Sequence, residues 1–589
     1  MSRLGAVVLL VAIVALAASL AVLRTMDRGR GNWSDALGDR FYLGVPWGTL
    51  VVVAFVLAVY LFVQDGRTDW SNPVTIPYRA WSYWYPLGLA TASFSHNGPN
   101  HLLGNLAGTL VLAPIAEYFW GHRPREPERV RHARLADPRI RAFVVFPTAV
   151  IGIGLLTSVF ALGPVIGFSG VVFAFAGFAI VRYPIATIVA ILGAHGAILT
   201  VIRAVQSPIL WATAQPSPPA PPSWATIAIQ GHAIGFLFGV LLGATLLRRR
   251  RVRPDPVLLW LAILLFGFAQ SLWAIYWFAG EGTFVLLRGP GVIVVVSLAI
   301  VVTVAIVGSD RSLVPGRLRR GSAADETVER RIELGFGSSG SSDRSRPRVE
   351  RLSRSVASGA DGERFTSRGA ALLAVLLVVA AISGPAVAVN AFVVDSGDAE
   401  GAVAVADYEV AYDEGVENPL VSIAPVDALG LNETVTASGV IVWSEDRGIW
   451  TDAVTADRLA FTGEEEIHLG GPGWRETVTA ERAGWDVVGN ESAYAVRLST
   501  EGDGSTLAFE SDAVTSDVVI VGNRISIVPK SGEFQIELRE ENGSATTVPI
   551  PEEGDDATVA DVTFVREDDE LYAESGGTRV VVASAEEYQ

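Results

Sequence analysis

Ten stretches of this chain are apolar over about 18–25 residues: 5–23, 42–63, 99–119, 142–162, 164–181, 184–204, 225–247, 257–279, 289–308 and 370–394. At a rise of about 1.5 Å per residue, such lengths match the hydrocarbon thickness of a bilayer. A backbone in hydrocarbon has no water to bond, so each stretch is held to a helix that satisfies its own amide and carbonyl groups. The sequence therefore predicts an all-α polytopic membrane protein over the first two thirds of the chain. A mean hydropathy of +0.38 and 15 tryptophans agree with this.

Arginine distribution orients the spans. Arg24, Arg28 and Arg30 follow the first segment, "GHRPREPERVRHARLADPRIR" (Gly121–Arg141) follows the third, and "RRRRVR" (Arg248–Arg253) follows the seventh. A further stretch, 310–368, is rich in Arg, Ser and Gly and reads as a disordered linker. Cationic loops stay in the cytoplasm, and all four fit one alternating scheme with the N-terminus outside. We read the first segment as an uncleaved helix. A signal peptide ending near "ALAASLA" is the alternative, but cleavage there breaks the alternation.

The chain contains no cysteine, which excludes disulfides, thiolate metal sites and a cysteine nucleophile. From Asp395 onward there are 42 acidic and 10 basic residues, against a net charge of −17 for the whole chain. This acidic end argues against nucleic-acid binding, which needs a cationic surface. Here the pattern changes to short β-branched runs: "ASGVIVWS", "DRLAFTG", "YAVRLST", "DVVIVGNRISIVPK" and "EFQIELRE". They predict an antiparallel β-rich domain of sandwich type, placed outside by the alternation. Asn432, Asn490 and Asn542 stand in N-x-S/T sequons there, and Asn32 stands in one on the face read as inside.

Polar residues inside spans are costly and therefore informative. The third, fifth and seventh segments all run from outside to inside, and they open with "HNGPNHLLGNLAG", "GPVIGFSG" and "SWATIAIQGHAIGFLFG". Asn105, Ser169 and His232 each fall about five to eight residues past the outer boundary, or about 8–12 Å deep. Equal depth on helices of one direction makes Ser169 and His232 a candidate nucleophile and base, since a serine hydroxyl attacks only when an imidazole takes its proton. Donors for the resulting oxyanion are expected from the start of the fifth helix and from Asn105 and His101. Gly167 and Gly170 let a substrate carbonyl come close.

These three regions, "SFSHNGPNHLLGNLAG", "GFSG" and "GHAIGFLFG", resemble the signature regions of the rhomboid intramembrane serine proteases, in the same order. The resemblance covers about residues 42–247 and implies a six-helix catalytic core with about four extra transmembrane helices. It implies Ser169 as nucleophile, His232 as general base, and His101 and Asn105 at the oxyanion. Gly235 and Gly239 are implied to pack the seventh helix on the fifth. One departure is that Ala80 splits Arg79 from Trp81 where the family often has a Trp-Arg pair. By analogy, the sixth helix and the proline-rich loop Gln206–Trp224 gate substrate access.

The domains expected are an N-terminal helix and linker (1–41), the rhomboid-like core (42–247), two added helices (248–308), the charged linker (309–368), a further helix (369–394) and the acidic β-rich domain (395–589). The function expected is a serine endopeptidase acting on transmembrane protein substrates in the bilayer through a Ser-His dyad. No cofactor or metal is expected, because the histidines form no H-E-x-x-H pattern. A catalytically inactive rhomboid-like protein that binds or sorts membrane clients is the alternative. A transporter is disfavoured because no inner-leaflet polar residues continue a pathway. Several residues read as structural: His96 shaping a loop, His195 packed or hydrogen-bonded, His122 and His132 in the cationic loop, and Glu117 orienting a loop or pairing with arginine. Glycines 231, 235, 239 and 243 read as a continuous packing stripe.

Overall fold

The computed structural model describes residues 2–26, 37–121, 137–280, 282–309, 366–391, 401–417, 436–502 and 504–589. Most of the cationic loop with His122 and His132, most of the charged linker, Arg28, Arg30, and the sequons at Asn32 and Asn432 lie outside these residues. Within them, ten apolar helices follow in chain order. They are α1 (Arg3–Met26), α2 (Trp47–Val63), α3 (Pro99–Gly121), α4 (Pro138–Val159), α5 (Ser169–Ile180), α6 (Pro184–Gln206), α7 (Ile229–Arg250), α8 (Pro256–Ala269), α9 (Arg288–Val307) and α10 (Ser367–Ala391). Six of them (α3, α4, α6, α7, α9 and α10) are long and apolar enough to cross a membrane; α2, α5, α8 and the Arg3–Ser19 part of α1 are shorter apolar helices. Four helices begin at a proline (99, 138, 184 and 256), where the missing amide costs no hydrogen bond. Asp255 caps α8 by accepting from the Leu258 amide at 2.8 Å. Leucine, isoleucine and valine side chains on the outer face of α6 (Ile185, Val189, Leu192, Val201) are exposed. Such surfaces are stable only against lipid. The chain is an integral membrane protein.

Two expected spans are shortened. The fifth starts as a helix only at Ser169, and residues 163–168 form an irregular segment ahead of it. Gly163 and Gly167 there have φ of +76° and +130°, so the chain turns where a helix was expected. The eighth ends at Ala269; the aromatic run that follows pairs instead as a hairpin of β1 (Tyr276–Gly280) and β2 (Thr283–Leu286). Its β-rich composition, closed by glycines at 280 and 282, favours strands over a further helical turn.

Helix α5 is buried on nearly every side, from Gly170 to Ile180, with α3, α4 and α7 around it. A helix apolar all round belongs at such a centre. At one end of the bundle, Arg141 and Arg250 donate to the Trp120 carbonyl (3.0 and 2.8 Å) and Arg250 to the Phe119 carbonyl (2.5 Å), closing the C-terminus of α3. Cations there meet the negative end of the helix dipole. Glu117 does the opposite task for α2. Its carboxylate accepts from the Gly48 amide (3.1 Å), the Thr49 amide (3.0 Å) and the Thr49 hydroxyl (2.9 Å), supplying the N-cap that Pro46 lacks. Glu117→Ala is expected to lower stability by about 3 kcal/mol, since it strands three buried donors. A reversible unfolding titration in mixed detergent micelles reads this, and a shift below about 1 kcal/mol would show that water replaces the carboxylate.

The C-terminal region is β-rich, and all its strand pairs are antiparallel. A four-stranded sheet (β3–β6, 403–455) is followed by an eight-stranded sheet (β7–β10 with β15–β18, from 464–510 and 556–585). A second four-stranded sheet (β11–β14, 514–549) lies between them in sequence. "ASGVIVWS", "YAVRLST" and "EFQIELRE" lie in strands, and "DVVIVGNRISIVPK" is a hairpin turning at Val521 and Gly522. "DRLAFTG" is not a strand. Ala456–Thr462 is a short helix whose Thr455 hydroxyl accepts from the Arg458 amide, with Asp457 in its first turn.

This region packs on the loop between α2 and α3. Trp81, Ile76 and Tyr85 of the loop share one buried apolar cluster with Tyr408, Val440, Ile449 and Leu469. Arg447 pairs with Asp407, donates to the Tyr408 hydroxyl at 2.7 Å, and lies 5.9 Å from the Tyr85 ring centroid. Arg475 lies 3.6 Å from Asp69 of the loop. The last strand is tied back by Glu586, which accepts from Arg482 at 2.6 and 3.0 Å. Burial alone raises the Glu586 carboxyl, but the Arg482 pair outweighs it and holds the group below the usual carboxylate range. A carboxyl lowered in the fold adds stability that is complete above about pH 4.5 and drains away as pH falls through its folded value. Amide exchange in strand 474–487, corrected for intrinsic rates, is expected to lose protection as pH falls below about 4.5; a Glu586→Gln variant would flatten that dependence.

Candidate active site

The arginine-capped end of the bundle is the far end from the residues singled out by depth. At the opposite end, the Ser169 hydroxyl stands at the first turn of α5 and His232 on the first turn of α7, with Oγ and Nε2 2.7 Å apart. This distance exists because α5 and α7 touch backbone to backbone. A Cβ on Gly235 would collide with the Gly170 carbonyl, one on Gly239 with the Ala174 carbonyl, one on Gly243 with Val181 and the Phe178 carbonyl, and one on Gly177 with the Phe236 carbonyl. Gly231 is not part of this stripe: nothing lies within 4 Å of the place its Cβ would take.

Gly167 precedes Ser169 by two residues, and its amide is fixed to the Ala92 carbonyl at 2.8 Å. A Cβ there would meet the His101 ring first and the Asn105 amide at 3.7 Å, so both side chains flank this backbone. The Asn105 Nδ2 is buried and has no hydrogen-bond partner among the described residues. A buried donor left unpaired marks a place where something else is to be bound. Gly170 stands differently: the space its side chain would fill is bounded by Thr157 of α4 and the Gly231 carbonyl. Its Cα side is therefore packed against α4 and the first turn of α7.

Sequence reasoning missed Phe173, whose ring stacks on His232 at 4.1 Å between centroids and 15° between planes. It lies one helical turn after Ser169, and that spacing was the available signal. Phe173 is itself backed edge-on by Phe266 of α8 at 5.3 Å. The Nδ1 of His232 is buried without a partner among the described residues, so the aromatic stack rather than an acid fixes the ring. Gln64 was missed as well. It donates to the His96 carbonyl (2.8 Å) and the Val74 carbonyl (3.0 Å) and accepts from the His96 amide (2.7 Å), pinning both ends of the loop. His96 packs edge-on against His101 at 5.1 Å. His195 Nε2 lies 3.2 Å from the Gly104 carbonyl on α3. Among the described residues no group of three or more His, Asp or Glu side chains is arranged to hold a metal ion.

A helical membrane protein with a serine and an imidazole in hydrogen-bond contact at one end of its bundle is the class these features define. Residues 80–249 match the family model described as the Rhomboid domain, and this part of the chain is a rhomboid domain. No curated protein and no solved structure matches the chain.

Proposed function

We propose that the chain is an intramembrane serine endopeptidase. The observation that carries this reading is the 2.7 Å contact between Ser169 Oγ and His232 Nε2. For Ser169 to donate, Nε2 must be unprotonated, which leaves the ring proton on Nδ1. Ser169 then attacks a substrate carbonyl carbon while His232 takes the hydroxyl proton. The oxyanion forms beside Gly167, where the free Asn105 amide and the His101 ring are at hand to donate. Collapse breaks the C–N bond, with the proton passing from His232 to the leaving amine. Water, deprotonated by the same imidazole, hydrolyses the acyl-enzyme.

The substrate in this reading is a transmembrane protein, cut where its helix unwinds to expose a carbonyl. The catalytic core spans about 42–247. In this reading the apolar segments alternate across the bilayer, with the arginine-capped end inside. The Ser169 end and the acidic β-rich domain (395–589) then face outward together. Their contact through the loop between α2 and α3 supports a common side.

A serine-directed fluorophosphonate applied to membranes containing the full chain tests the proposal. Covalent labelling at Ser169, lost in His232→Ala, is expected. Comparative membrane proteomics should also show ectodomains shed only by the parent chain. Client binding without labelling or shedding would instead identify an inactive rhomboid-like binding protein.

A further inference from the structure

Behind α7, away from α5, lies an apolar cavity of about 860 Å³ that the Ser169–His232 pair does not itself line. Its core-side wall is α7, through Ala233, Phe236 and Leu237. Its other walls come from helices beyond the rhomboid domain: α8 (Ile263), α9 (Val295, Leu298, Val302) and α10 (Val378, Ile382). Toward the Ser169 end, the lining includes Val165 and Ile166, just ahead of Gly167, and Gly231, next to His232. The cavity thus begins beside the backbone that adjoins Gly167 and His232 and runs down among the added helices.

The lining is mainly apolar, with Arg79, Asn97, Thr226 and Tyr276 as polar residues beside Gln230. Gln230 reaches it, but its amide is already spent on the Phe160 carbonyl (2.6 Å), the Ile382 carbonyl (3.0 Å) and the Leu162 amide (3.0 Å). These bonds fasten α10 to α7 and hold the cavity open as part of the fold. Gly231 lines the cavity next to His232, and the space its Cβ would take is open. On the other flank α1 meets α6 only near Val205, whose carbonyl a Cβ on Gly5 would strike. A hydrophobic segment reaching Ser169 therefore has prepared apolar space on the α7 side.

We propose that this cavity receives the apolar residues on one flank of the scissile bond of a substrate's transmembrane segment, so that α8, α9 and α10 set substrate selectivity. The inference rests on the proteolytic reading above. Continuity with residues 165–166 and 231 favours a peptide already held at Ser169, and the apolar wall favours large aliphatic or aromatic side chains in it.

The test uses the full chain with Ser169→Ala in phosphatidylglycerol–phosphatidylcholine vesicles, and a synthetic single-span peptide carrying benzoylphenylalanine at successive positions. Crosslinks to α9 and α10 from one contiguous set of positions are expected, and they should fall about tenfold in Leu298→Trp and Val378→Trp, which fill the space. In the Ser169-containing chain, Leu298→Ala should shift the cleavage preference toward larger flank residues. Phospholipid adducts alone, or peptide crosslinks unchanged by both tryptophans, would overturn the proposal and make the cavity a lipid site. Because the crosslinking arm needs no catalysis, it separates this failure from a failure of Ser169 to react with fluorophosphonate.

Discussion

Replacing Ser169 by alanine is expected to lower cleavage of a co-expressed single-span substrate by about four to six orders of magnitude, while the chain accumulates normally. The hydroxyl is the one nucleophile in contact with His232. Without it the imidazole can at most activate water, and the substrate loses the route through an acyl-enzyme. Structure should survive, because the change removes one oxygen and one hydrogen bond, worth about 1 kcal/mol. Around it, α5 is held by Phe168, Val171, Ala176 and Ile180, all fully buried. Immunoblots of substrate fragments, with the unfolding midpoint of the purified variant as control, measure both parts. Persistent cutting at the same bond would sink the assignment of Ser169.

Gly235→Val is expected to have the largest effect on stability, more than about 4 kcal/mol. Its side chain has no place to go: the position is filled by the Gly170 carbonyl, a backbone atom of a helix buried on all sides. Rotamer change cannot relieve such a clash, so α5 and α7 must separate. Separation by even 1 Å would lengthen the contact of Ser169 with His232 beyond hydrogen-bond range. Stability and fluorophosphonate labelling should therefore fall together. Gly231→Ala, four residues earlier on the same helix, should leave the unfolding midpoint in place, since its Cβ meets open space. Equal effects at 231 and 235 would refute backbone contact as the cause.

The site was legible because hydrocarbon makes polar residues rare. In a span composed of leucine, valine and glycine, each histidine or asparagine stands out, and counting from the span boundary gives its depth. That arithmetic needs only helix rise, so Asn105, Ser169 and His232 could be compared without a fold. It works less well where the chain leaves the helix. Residues 163–168 are as apolar as a span, and only the backbone shows that the helix waits until Ser169. The aromatic run after Ala269 misled for the same reason: hydropathy does not separate a membrane helix from a hairpin. Gly231 stands in open space although the four-residue repeat runs through it, because a repeat gives a helix face, not what lies opposite it. Phe173 was hidden among other apolar residues; its partner is set by the rotation of α7. Nor did charge or periodicity foretell the contact of Trp81 with Tyr408 and Ile449, over 300 positions away.

That contact has a mechanical consequence. The loop residue Ala80, next to Trp81, donates its amide to the Val165 carbonyl at 3.1 Å, an isolated bridge that joins the loop to the segment before Ser169 beside the bond from Gly167 to Ala92. From the acidic domain to the nucleophile the path is thus short: a packed aromatic, one peptide hydrogen bond, and four residues of chain. Tension on the acidic domain has little slack to absorb it before it reaches Gly167. Load on the strands packed against Trp81 would pass to the backbone beside Ser169, so the domain is a lever on that position as well as a cover for the loop.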